Sequence, residues 1–172
     1  GDIYVADPGN GRIQIFDADG EFLRVWGERG RQPGQLQRPG QVAFRPDGTL
    51  LVADIGHQVN AFTADGEYLG AVVAGDAQSG NRDSGYGIIT DAAGRIFLSD
   101  YLGNEIRILA PDGSLLAAWG TKGSGDYEFN LPAQPALDNA GRLYIPDNNK
   151  RVQVFQLAPP LTGDLPTGDA AT

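Results

Sequence analysis

The stretch GTKGSGDYEFNLPAQPALDNAGRLYIPDNNKRVQVF, residues 120–155, is a Gly-rich loop followed by short apolar runs with turns between them. A similar stretch begins at Gly27 as GERGRQPGQLQRPGQVAFRPDGTLLVAD. Self-similarity of this kind decides the fold before any residue-level reading. The runs IYVAD, LLVAD, IFLSD and LYIPD end at Asp7, Asp54, Asp100 and Asp147, in steps of 47, 46 and 47 residues. After each Asp comes a second run (RIQIF, QVNAF, EIRIL, RVQVF). A tight turn and a third run follow the first three of these: EFLRVWG, EYLGAVVAG and SLLAAWG. A long loop then leads to a fourth run, QVAF, GIIT or QPAL, and to another tight turn. One period is therefore four short strands.

The turns RPDG, TADG, DAAG, APDG and DNAG place glycine where a hairpin needs positive φ, and β-branched and aromatic residues flank them. Many runs are apolar at nearly consecutive positions, which implies sheets covered on both faces. Four-stranded units with a period in the forties read as propeller blades. The expected fold is all-β: a β-propeller with four-stranded antiparallel blades at about 1–40, 41–86, 87–133 and 134–157. Strand counting gives 14 strands, or about 3.5 blades, with the terminal 158–172 a flexible tail rich in Pro, Gly and Thr.

The stretches IYVADPGNGRIQIFDADGEFLRVWGERG and WGTKGSGDYEFNLPA…LYIPDNNKRVQVF resemble the NHL repeat, a β-propeller motif, and the likeness spans residues 1–157. Such propellers generally close with six blades, so the resemblance implies an incomplete six-bladed propeller whose missing blades are expected upstream of Gly1. It implies a binding or scaffold module for a protein, peptide or glycan. It also implies two alternatives. One is a fragment of a metal-dependent enzyme, similar to amidating lyases with a zinc held by several histidines, or to lactonases with carboxylates and an Asn around a cation. The other is an RNA-binding domain.

Composition weighs on these alternatives. With no Cys and a single His, His57, no Cys/His metal site or catalytic His network can be assembled within the chain, and no cofactor is expected. The net charge of −9 opposes binding to phosphate backbones. The longest apolar runs are only a few residues, too short for a membrane-spanning helix. Residues 1–46 hold six Arg and six acids, whereas the remainder holds seven bases and 16 acids. Pairing of that Arg cluster with its own acids is the plain expectation; a free positive patch is the alternative.

The Asp residues ending the runs IYVAD, LLVAD, IFLSD and LYIPD (Asp7, Asp54, Asp100, Asp147) recur in every repeat, which argues for architecture: carboxylates accepting backbone N–H groups of their own turns or pairing with an Arg such as Arg12 or Arg151. The turns DADG at 17–20 and TADG at 63–66 lack the acid alternation and distal Glu of a calcium loop. Trp26 and Trp119 end equivalent outer strands and are expected to cover a neighbouring blade. Function concentrates in variable loops on a rigid scaffold. The loops at about 27–40, 75–86 and 120–133 and the shorter ones after each repeat Asp bring Arg29, Arg31, Arg38, His57, Arg82, Tyr86, Tyr101, Asn104, Tyr127 and Asn149. Arg, Tyr and Asn suit an interface, and these ten are the candidate ligand-binding residues.

Overall fold

A computed structural model of the chain describes residues 1–55, 58–73 and 86–157. The chain divides into two compact units, 1–85 and 86–172, each with its own pair of packed sheets. In the first unit, β1 (Ile3–Asp7), β2 (Arg12–Phe16) and β3 (Phe22–Trp26) make a three-stranded antiparallel sheet. It is followed by a four-stranded one of β4 (Gln41–Phe44), β5 (Leu50–Asp54), β6 (Gln58–Phe62) and β7 (Tyr68–Val73), paired in chain order. The second unit starts with a four-stranded sheet of β8 (Tyr86–Thr90), β9 (Ile96–Asp100), β10 (Glu105–Leu109) and β11 (Leu115–Trp119). A loop then carries a small parallel pair, β12 (Thr121–Lys122) with β13 (Glu128–Phe129). Last comes the three-stranded sheet of β14 (Ala136–Leu137), β15 (Arg142–Asp147) and β16 (Arg151–Gln156).

The fold is all-β with four-stranded antiparallel sheets, as the repeat predicts. Sixteen strands stand among the described residues against the 14 counted. The extra pair is β12 and β13, at two residues each below the length at which alternation can be read. Tyr86 opens β8 opposite Asp100 instead of closing a loop. The run QPAL shrinks to a two-residue strand because Pro135 has no N–H to give the ladder. His57, Arg82, most of the loop at 75–86 and the tail at 158–172 lie outside the described residues. No helix among the described residues is long and apolar enough to cross a membrane.

Strand periodicity decides which side chains meet. On β2, Ile13 and Ile15 are buried while Gln14 and Phe16, pointing the other way, are not. Ile13, Ile15 and Leu36 pack with Leu50, Val52 and Phe62 of the next sheet, and Trp26, Tyr4, Val42 and Tyr68 close over them. The Trp26 and Phe62 rings lie 5.1 Å apart, and Trp26 Nε1 donates to the Ala64 carbonyl at 3.2 Å. The second unit repeats the arrangement: Trp119 sits 5.5 Å from Phe155 over a cluster that includes Ile106, Ile108, Phe129, Leu143 and Ile145. Both tryptophans thus cover the neighbouring sheet. In β5 and β9 every residue is buried, so the consecutive apolar positions do report two covered faces. The turn glycines Gly20, Gly48, Gly66, Gly94, Gly113 and Gly141 have φ between +76° and +93°, the region that only glycine enters without strain.

Candidate functional site

The four repeat carboxylates all work on loop geometry. Asp7 accepts Asn10 Nδ2 and Arg12 Nε, each at 2.8 Å, and these two partners hold its carboxyl below the usual range. Asp100 accepts the Gly103 N–H at 2.7 Å. Asp147 accepts the Asn149 N–H at 2.9 Å and Arg151 Nε at 3.4 Å. Asp54 reaches further. It is 1% exposed and takes the N–H groups of Ile55 at 2.8 Å, of Arg38 at 2.7 Å and of Gln37 at 2.7 Å. The turn after β5 is thereby tied to the long loop that precedes β4.

That loop, residues 27–40, is folded on itself. Leu36 is fully buried in the core of the first unit, its N–H donates to Glu28 O at 2.9 Å, and Arg29 bridges Leu36 in parallel. Gly11, at φ +66°, lies directly beneath: a Cβ there would come within 2.6 Å of the Leu36 carbonyl and 2.8 Å of the Arg29 Cα. The apolar anchor goes inward, and the charged residues on either side of it remain outside. Arg29, Arg31 and Arg38 are exposed and line one open cavity of about 280 Å³ with Gly30, Gln37 and Ile55. Arg29 Nη1 donates to Gly9 O at 3.0 Å and Arg31 Nε to Gln37 Oε1 at 3.1 Å, which orients both guanidiniums and leaves most of their donors without a partner among the described residues.

The expected pairing of the N-terminal arginines with their own acids covers only part of the cluster. Arg12 pairs with Asp7 at 2.8 Å, and Arg24 with Asp2 at 3.4 Å and Asp65 at 3.6 Å. Arg29, Arg31 and Arg38 enter no ion pair among the described residues. Their nearest repeat acid, Asp54, has its oxygens turned to backbone N–H groups.

The corresponding loop of the second unit, residues 120–133, has the same length but a different content. There Arg151 fills the loop, donating to the carbonyls of Ser124 at 2.7 Å, Gly125 at 2.9 Å and Glu128 at 2.7 Å. At the matching position the first unit has Gln58, shorter and uncharged. Asn104 is buried and its Oδ1 accepts the Leu131 N–H at 2.8 Å; Asn149 Nδ2 donates to Gly123 O at 2.9 Å. Both side chains build the loop instead of facing outward as interface groups. Tyr127 packs 5.4 Å from Phe155, and Tyr101 is exposed after β9. The structure therefore brings three of the ten candidates together, Arg29, Arg31 and Arg38. Gln37 and Ile55 carry no signal in the sequence, since the positions after the repeat acids hold Pro8, Ile55, Tyr101 and Asn148 with no common type. Among the described residues no three His, Cys, Asp or Glu gather as a metal site would require.

No family model matches the chain. It is similar to NHL repeat-containing protein 3 of Homo sapiens, 27% identical over 170 residues that cover 89% of this chain and 48% of that protein. It is also similar to protein brain tumor of Drosophila melanogaster, 32% identical over 122 residues, 69% of this chain and 11% of that protein. The chain thus spans about half the length of the first relative and a small part of the second. Among solved structures, the RRP9 WD40 repeats superpose with a TM-score of 0.66 at 15% identity, covering 91% of this chain and 44% of that one, a likeness of fold.

Proposed function

Because the chain belongs to the NHL-repeat β-propeller family, we propose that it is a binding module whose arginine-lined cavity holds an acidic segment of a protein partner. The observation that carries this reading is the convergence of Arg29, Arg31 and Arg38 on one cavity of about 280 Å³ without an ion pair among the described residues, in a chain of net charge −9. Elsewhere the chain pairs its arginines: Arg12, Arg24, Arg95, Arg107, Arg142 and Arg151 each meet a carboxylate. Planar guanidiniums with spare donors match carboxylates two bonds at a time. The acidic remainder of the surface repels an anionic partner that approaches in the wrong place, which adds specificity.

The test is titration with a glutamate-rich peptide at low and high salt, comparing the chain with Arg31→Ala/Arg38→Ala. Binding is expected to weaken with salt, since exposed charges are screened beyond about 8 Å at physiological ionic strength. The double variant is expected to bind about fivefold or more weakly, with stability within about 0.5 kcal/mol of the parent. Equal affinity in the folded double variant overturns the assignment. A sulfated glycan that binds where the peptide does not would keep the site and change its ligand.

A further inference from the structure

Taking the arginine cavity as the binding site proposed above, we infer that it selects a phosphorylated side chain of a peptide over a carboxylate. Its three guanidiniums are not part of the repeat. Counted from Gly27 and Gly120, Arg29, Arg31 and Arg38 stand where the second unit has Lys122, Ser124 and Leu131. Residues that build the sheets and turns recur, as the repeat acids do. These three do not, and departures of that kind on a loop are where function concentrates.

Their anchoring leaves complementary edges open. Arg29 gives Nη1 to Gly9 O, and its Nε–Nη2 edge has no partner among the described residues. Arg31 gives Nε to Gln37 Oε1, and its Nη1–Nη2 edge has none there either. The Arg38 side chain makes no hydrogen bond or ion pair among the described residues, while its backbone N–H is fixed by Asp54. Both anchoring acceptors are neutral, so neither guanidinium is neutralised by its anchor. Among the described residues no carboxylate lines the cavity. Arg29 and Arg31 flank Gly30, where a Cβ would meet Gln35 Oε1 at 1.8 Å, so no side chain stands between them.

Counting acceptors separates the two anions. Each open edge is a fork of two N–H groups. A carboxylate has two oxygens with about four lone-pair sites, which two forks fill, and it balances one of the three positive charges. A phosphate monoester has three acceptor oxygens, one for each arginine, and about −1.5 to −2 charge at neutral pH. Ile55 gives the cavity an apolar wall for the carbon stem that bears the phosphate. The net charge of −9 opposes a polyanion such as a nucleic-acid strand or an anionic lipid surface. The carrier is therefore a peptide whose charge sits in the one residue that enters.

The probe is a short peptide of neutral residues with a central phosphoserine. It is compared with the same peptide bearing glutamate or serine there, and with the glutamate-rich peptide, at one salt concentration. Phosphoserine is expected to bind about tenfold or more tightly than the single glutamate, and serine not measurably. Arg38→Ala keeps the backbone N–H that Asp54 holds. It should weaken the phosphopeptide about tenfold and the single-glutamate peptide about twofold, so the preference narrows. Circular dichroism checks that the variant is folded. A phosphopeptide no tighter than its glutamate counterpart, with the glutamate-rich peptide still bound through the arginines, overturns the inference and leaves the acidic-segment reading standing. If neither the phosphopeptide nor the glutamate-rich peptide binds, both readings fall. Phosphopeptide binding that survives Arg31→Ala/Arg38→Ala, or that is exceeded by single-stranded RNA or by phosphoinositide vesicles, also overturns it.

Discussion

Replacing Asp54 with Ala should loosen the loop that forms the arginine cavity without touching any arginine. The carboxylate is 1% exposed and accepts three backbone N–H groups, from Gln37, Arg38 and Ile55, at 2.7–2.8 Å. Hydrogen bonds to an ionised acceptor contribute about 1.5–3 kcal/mol each, and a buried donor left unmade costs its desolvation. Two discounts apply: Arg38 is exposed, so water can reach its amide, and removing the charge also removes the cost of burying it. The net loss expected is about 3–5 kcal/mol. Asp54→Asn keeps one oxygen but turns an NH₂ toward one of the three donors, for a loss of about 2–3 kcal/mol. Urea denaturation, read by Trp26 fluorescence in a Trp119→Phe background, measures the first unit separately. Amide exchange at Gln37 and Arg38 should accelerate in step, and affinity for the acidic peptide should fall with all guanidiniums present. A loss below about 1 kcal/mol with unchanged exchange would refute the reasoning, since it would mean that Asp54 does not hold the loop.

Phe62→Ala, at a buried ring between Trp26 and Tyr68, should cost about 3–5 kcal/mol. At the same register position on the uncovered face, Phe16→Ala should cost only about 1 kcal/mol, and equal costs in the same urea assay would contradict the difference in coverage. Asp138 accepts the Arg142 backbone N–H first among several bonds, which brings its carboxyl down to about 2. Its folded value lies below the unfolded one of about 3.9, so its contribution to stability is present above pH ~4 and fades as pH falls toward 2. The carboxyl carbon of Asp138 should titrate near 2 by NMR, and a midpoint near 4 would remove this turn from the acid response of the protein.

The repeat of Asp7, Asp54, Asp100 and Asp147, with its turn glycines, carries the four-strand period and antiparallel order by itself, because hairpin pairing depends on local turn geometry and period-two patterning. Family membership is legible from the same residues. The small parallel pair β12–β13 is not, since two-residue strands leave no pattern to read. Loop chemistry is likewise silent in the one-dimensional order. Asn104 and Asn149 look like interface residues, yet their amides bond loop backbone, while Arg29, Arg31 and Arg38 look pairable with nearby acids and meet none among the described residues. Charge balance along a segment counts residues; pairing depends on where each side chain points. That direction is set here by Leu36 entering the core, Asp54 binding the backbone of Gln37 and Arg38, and the Gln58 that stands where Arg151 fills the other loop. These contacts join residues 16–27 positions apart, and only tertiary packing brings such positions together.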